Sequence, residues 1–167
     1  MFVKNIKVKF KKIRPEAKIP TQGTKSAAGF DLYACVDLEH KLAETDITEE
    51  HKGKKKYVIF PHQTCLVPLG FATEIPEGWF GAIYPRSGIA LKRNLRLGNC
   101  VAVIDADYRG EWMVAIHNDS ESVKFVYEGE RIAQLVLQEH PCVEFEEVDE
   151  LEDTERGSGG FGSTGRA

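Results

Sequence analysis

Apolar and polar residues alternate with a period of two where this chain opens. In "NIKVKFKK" (5–12), Ile6, Val8 and Phe10 fall on one face and Lys7, Lys9 and Lys11 on the other. A pleated strand points successive side chains to opposite faces, so the pattern predicts a half-buried β-strand. Short runs rich in β-branched and aromatic residues follow: "YVIF", "TCLVPL", "FATEI", "WFGAIY", "VAVI", "WMVAIHN", "VKFV", "RIAQLVL" and, last, "VEFEEV" at 143–148. Turn signals separate them, among them "PEGW", "YRGE", "HNDS", "YEGE" and "EHP". No stretch keeps a helical apolar period for three capped turns. Many short, evenly spaced strands predict an all-β sandwich or barrel. No internal repeat is visible.

Two regions break the pattern. Residues 37–57, "DLEHKLAETDITEEHKGKKKY", are mostly charged and polar, which predicts an exposed loop or hairpin extension with at most one helical turn. Residues 149–167 turn acidic and then Gly-rich, ending "RGSGGFGSTGRA", the composition of a flexible tail. The expected organisation is a β domain over 1–148, with 37–57 as a charged insertion, followed by an arm over 149–167.

Composition narrows the function classes. The 167 residues suit one domain that buries roughly 70% of its unfolded surface without a staple. A net charge of −4 argues against a general nucleic-acid or membrane-surface binder. It leaves room for a small anion in a local basic pocket. Cys35, Cys65, Cys100 and Cys142 lack zinc spacing and read as free thiols in a reducing compartment. The N-terminus "MFVKNIKVKFKK" is too charged for a secretory signal, and no apolar run is long enough for a span. A soluble cytoplasmic protein is expected, or a nuclear one in a eukaryote.

Four stretches carry candidate chemistry. In "YPRSGIALK" (84–92), Arg86 offers a planar fork of donors, Ser87 a hydroxyl and Gly88 a close-turning backbone, which together suit an anion cradle. The bland alternative is a strand-ending turn with a solvent-facing arginine. In "LGNCVAVIDADYRGEW" (97–112), an apolar strand runs into Asp105, Asp107 and Tyr108. Asp105 and Asp107 project the same way unless a turn has begun. A carboxylate there orients a water or holds a metal, or simply caps its own turn. Asp31 in "AAGFDLYA" lies between apolar neighbours and needs a partner, either a structural arginine or a metal. Gln134 interrupts the apolar "RIAQLVL" and, if buried, must be hydrogen-bonded. The five histidines share no spacing and read as incidental.

Each stretch is weak alone, but their order is specific. "AAGFDLYA", "PRSGIALK", "GNCVAVIDADYRGE", "GERIAQLVL" and "RGSGGFGSTGR" resemble, in family order, the five motifs of the trimeric dUTPases (deoxyuridine 5'-triphosphate nucleotidohydrolases). The resemblance spans residues 27–166. It implies a β jelly roll, a homotrimer with active sites shared among subunits, and a tail closing over a neighbour's pocket. It implies hydrolysis of dUTP to dUMP and pyrophosphate, which limits uracil in DNA and supplies dUMP for dTTP synthesis.

The resemblance also implies roles. Asp105 would orient the water that attacks the α-phosphorus. Asn99 and the following hairpin backbone would bond the uracil edge, Tyr108 would pack under the deoxyribose, and Phe161 would stack on the base. Arg86, Ser87, Gly88, Gln134, Arg156, Ser163 and Thr164 would meet the phosphates. Asp31 would hold Mg²⁺ through water, with the metal riding on the triphosphate. Arg166 receives no role beyond a solvated charge. Ala102 stands where the family hairpin commonly has Gly, and its methyl would narrow the base slot. Segment 37–57 exceeds what the shortest members carry and is either neutral or a surface for an unidentified protein partner. Two competing readings are a dCTP deaminase of similar architecture, which needs a pocket glutamate, and a nucleotide-sensing trimer without catalysis. A single-strand nucleic-acid binder has the wrong net charge and lacks an aromatic–basic stripe.

Overall fold

The computed structural model describes residues 5–39, 47–99 and 101–160. Along them run β1 (Lys9–Lys12), β2 (Thr21–Gln22), β3 (Phe30–Tyr33), β4 (Ile47–His51), β5 (Lys54–Ile59), β6 (Thr64–Pro68), β7 (Phe71–Glu74) and β8 (Trp79–Pro85). One helix, α1 (Ser87–Arg93), precedes β9 (Leu95–Leu97), β10 (Ala102–Ile104), β11 (Met113–Asn118), β12 (Lys124–Tyr127) and β13 (Arg131–Glu139). All strand pairings are antiparallel. The expected all-β, jelly-roll class holds.

The sheets pack around one core. The largest orders its strands β10-β8-β13-β3-β2; β6-β11-β9 and β12-β5-β4 form two more, and β1 pairs with β7. Along β11, residues alternate half-buried and buried, so Val114, Ile116 and Asn118 face inward. They meet Leu32, Tyr57, Ile59, Val67, Ile83 and Trp112 from the other strands. Burying each such side chain stabilises the fold by about 1.5–3 kcal/mol. Asn118 is the polar exception. Its amide donates to the Ile59 carbonyl at 3.0 Å and the Ser122 carbonyl at 2.9 Å, so its burial is satisfied and the 119–122 turn is tied to β5.

Two expectations change, and a third alternative is decided. "VEFEEV" (143–148) forms no strand: Val143 and Phe145 are exposed, and no edge among the described residues pairs with them. Alternation marks a strand only where a partner edge exists. "SGIALKR" is helical, but seven residues are too few to show a helical period. Residues 47–57 of segment 37–57 fall in the β4–β5 hairpin. It turns at Lys52 (φ 52°) and Gly53 (φ 73°), as the hairpin alternative requires.

Candidate active site

The centre of the large sheet builds the first half of the site. Gln134 on β13 lies between Asp31 of β3 and Tyr84 of β8. Directly opposed residues of antiparallel strands point to one face, so Asp31 and Gln134 share a surface. An irregularity in the β3–β13 register falls between Arg131 and Ala133, where such a defect re-aims a side chain. Arg131 Nη1 reaches Asp31 Oδ2 at 3.1 Å. From the end of β8, Arg86 Nε reaches Asp31 Oδ1 at 2.8 Å. Gln134 Nε2 donates to the Pro85 carbonyl at 2.9 Å.

These groups line one cavity of about 550 Å³, with Ser87 and Gly88 at the opening of α1. No side chain caps that helix. Two guanidinium groups against one carboxylate give the cavity a net positive charge suited to phosphate. The solvent-facing alternative for Arg86 therefore fails, and the structural-arginine alternative for Asp31 holds, with two arginines rather than one. Gln134 is bonded to backbone but only half-buried.

The sequence left Arg131 and Gly29 unremarked. Arg131 directly follows the "YEGE" turn, where a charged residue at a strand start looks like an ordinary solvent group. A Cβ on Gly29 would lie 2.7 Å from Gln134 Oε1, so glycine there keeps the amide in place. Neither role is legible without the β3–β13 register.

The second half is the turn after β10, which leads into β11 of another sheet. The strand stops at Ile104, and the Tyr108 N–H donates to the Asp105 carbonyl at 3.2 Å. The turn has begun at Asp105, so Asp105 and Asp107 are not consecutive same-face strand positions. Arg109 Nη1 fastens the turn on the Ala106 carbonyl at 2.7 Å, and the Tyr108 hydroxyl donates to the Glu111 carbonyl at 3.1 Å. Asp105 and Tyr108 are exposed and line a second, shallow cavity of about 180 Å³. Within one chain the turn and the phosphate-type cradle line different cavities.

Other candidates stand apart. Asn99 is exposed and lines neither cavity. Arg156 is exposed, and its Nε donates to the Gly159 carbonyl at 2.9 Å. Phe161, Ser163, Thr164 and Arg166 lie outside the described residues, as does Cys100. The Ala102 methyl is buried in the core. Among the described residues, Cys35, Cys65 and Cys142 take part in no disulfide. A larger cavity, about 720 Å³, lies between the β4–β5 and β12–β13 turns. It mixes Lys54, Lys55 and Arg93 with Glu16, Glu128 and Glu130 and offers an anion no net charge. Among the described residues, no three His, Cys, Asp or Glu side chains cluster to hold a metal, and no helix is long and apolar enough to cross a membrane.

The dUTPase family model matches residues 52–165, the span that holds the cradle's Arg86 and Gln134 and the Asp105 turn. The chain belongs to the dUTPase family. A relative from Nautilia profundicola named deoxyuridine 5'-triphosphate nucleotidohydrolase is 41% identical, over 96% of this chain and 100% of its own length. Among solved structures, a Staphylococcus bacteriophage 80alpha dUTPase mutant with dUpNHpp superposes with a TM-score of 0.79 at 26% identity, covering 96% of this chain and 99% of that one. A mutant dUTPase from phage phi11 of S. aureus, described with a structural Mg(II) ion, has a TM-score of 0.71 at 21% identity over 88% of this chain and 99% of that one. For a dUTPase, the cradle sits on the first, second and fourth motifs and the Asp105 turn on the third.

Proposed function

We propose that this chain hydrolyses dUTP to dUMP and pyrophosphate as a homotrimer whose subunits share active sites, limiting uracil in DNA and supplying dUMP for dTTP synthesis. The observation that carries the reading is the cavity in which Asp31, Arg86, Ser87, Gly88, Arg131 and Gln134 converge. Those residues come from three separate motifs, and their charge suits a triphosphate. The Asp105 turn lines a different cavity of the same chain, as expected if a neighbouring copy completes each site.

The chemistry follows from positioning and charge. Arg86 and Arg131 hold the phosphate oxygens, with the Ser87 hydroxyl, the Gly88 backbone and the Gln134 amide as neutral donors. Asp105, exposed at the end of a short strand, accepts a proton from a water and aims its lone pair at the α-phosphorus. The bond from that phosphorus to the bridging oxygen breaks in line, and pyrophosphate leaves. No covalent intermediate is required. Tyr108 gives the sugar a flat floor, Asn99 a polar contact for the base, and Phe161 a lid that stacks on it. Arg156, Ser163 and Thr164 meet the phosphates from the arm at 149–167.

Mg²⁺ fits this donor set only as a cation carried by the substrate. Asp31 is the single carboxylate in the cavity, and both its oxygens are in ion pairs, so it suits contact through water. Bound to the triphosphate, Mg²⁺ would neutralise charge that otherwise opposes attack.

Pyrophosphate release from dUTP, dTTP, dCTP and UTP tests the reading, with Mg²⁺ and with chelator, beside a chain truncated before Arg156. Release from dUTP alone, weakened by chelator and truncation, is expected. Sedimentation of the same sample should give a trimer. Ammonia release from dCTP, or no release from any of the four, would overturn the assignment.

A further inference from the structure

Glu111 joins the exposed Asp105 turn to the rigid core. On one side, Trp112 is fully buried, its N–H donating to the Phe71 carbonyl at 2.9 Å and its carbonyl accepting from Leu69 at 2.8 Å. On the other side, the Glu111 carbonyl receives the Tyr108 hydroxyl. The Glu111 side chain is gripped in turn. Arg14 Nε meets Oε1 at 2.6 Å and Nη2 meets Oε2 at 2.9 Å, a bidentate fork. Arg14 Nη1 also pairs with Asp37, and the Arg14 N–H donates to the Gly70 carbonyl at 3.0 Å. Arg14, Asp37 and Glu111 are 17%, 25% and 15% exposed, so the cluster is screened less than a surface pair. Gly110 completes the support: a Cβ there would lie 2.4 Å from the Tyr108 hydroxyl.

We infer that Glu111, clamped by an Arg14 that Asp37 holds in turn, is a positioning residue that fixes the Tyr108 ring and thereby sets discrimination against a 2′-hydroxyl. The inference rests on the proposed role of Tyr108 as the floor of the sugar site. A fork-held Glu111 has one backbone orientation, so its carbonyl presents one acceptor to the tyrosine. Loosening the fork lets the ring rock away from the sugar and opens room for an extra oxygen. The clamp also joins residues 97 and 23 positions apart along the chain. It ties the root of the charged 37–57 segment to the Asp105 turn.

The test compares kcat/KM for dUTP and UTP in the parent, Glu111→Gln, Tyr108→Phe and the double variant. Glu111→Gln keeps the volume and loses the charged fork; Tyr108→Phe keeps the ring and loses the hydroxyl bond. Each single change should narrow the dUTP-over-UTP ratio by about tenfold, the scale of a small misplacement in a tight site. The double variant should narrow it no further, since both act on one link. Equal losses for both nucleotides with the ratio intact would make Glu111 structural only and overturn the inference. If Glu111→Gln does not fold, Arg14→Lys, which keeps the charge and loses the fork, carries the same expectation. A parent enzyme inactive on dUTP would instead overturn the functional reading on which the inference rests.

Discussion

Asp31 stands between two arginines: Arg86 Nε lies 2.8 Å from one carboxylate oxygen and Arg131 Nη1 3.1 Å from the other. The carboxylate is buried and the two guanidiniums are partly open to the cavity, Arg131 by half. The acid thus holds two cations side by side that would otherwise repel, and leaves their outer donors for an anion.

Asp31→Asn should therefore weaken triphosphate binding more than it weakens the fold. Without the negative charge the two arginines separate, and the cradle loses its geometry. KM for dUTP should rise about tenfold, on the scale of one charge-assisted contact. Steady-state kinetics beside a thermal melt would check it. An unchanged KM with a large drop in melting temperature would assign Asp31 to folding alone.

Gly29→Ala makes a finer test. The new Cβ would sit 2.7 Å from Gln134 Oε1, the far end of a side chain that can swing. The amide moves and gives up its bond to the Pro85 carbonyl. That costs the fold about 0.5–1.5 kcal/mol, while removing Gln134 from the phosphate site. kcat/KM should fall while the melt shifts by a few degrees. Full activity would mean that Gln134 does not touch substrate.

Many strands were legible as short β-branched and aromatic runs between turn signals, and alternation is plain in the sequence of β1 and in the burial of β11. What stayed hidden depends on pairing. Arg131 and Gly29 matter only once β13 lies against β3, and no local pattern encodes that register. Helix α1 was missed because seven residues are too short for periodicity. "VEFEEV" misled in the opposite direction, since its alternation has no edge to join among the described residues. Segment 37–57 was readable from its charge only as an exposed loop or hairpin extension, and the β4–β5 pairing decides for the hairpin over 47–57. Its link through Asp37 to Arg14 and Glu111 is a tertiary fact.

Asp105→Asn should keep binding and lose turnover. The amide is nearly the same shape as the carboxylate but takes no proton from water. General-base catalysis is worth roughly 10²–10⁴ in rate, so kcat should fall by about that factor with Kd for a non-hydrolysable analogue little changed. Turnover at the parent rate would remove Asp105 from the chemistry.

The thiols should separate by reactivity. Burial, reinforced by the nearby Glu128 carboxylate, pushes Cys35 up to about 12, and the sulfur is almost wholly covered. Cys142 is exposed. Because the thiolate is the nucleophile, iodoacetamide at pH 8 should label Cys142 and spare Cys35 in the native protein, as peptide mapping would read. Equal labelling would indicate that the Cys35 region opens readily.

Glu128 gives the pH dependence its sign. Burial raises its carboxyl above the ordinary range, against the Val36 N–H that it accepts at 2.5 Å. The folded chain therefore holds this proton to higher pH than the unfolded chain does. Stability falls as pH rises between the two values, and the full penalty is present above the folded one. Glu128→Gln removes the charge and keeps an acceptor for Val36. It should melt higher than the parent at pH 8, and the gap should close as pH falls below about 4, where the glutamate becomes protonated in both states. Paired melts across that range would decide. A gap that stays constant with pH would assign the effect to packing rather than to the buried charge.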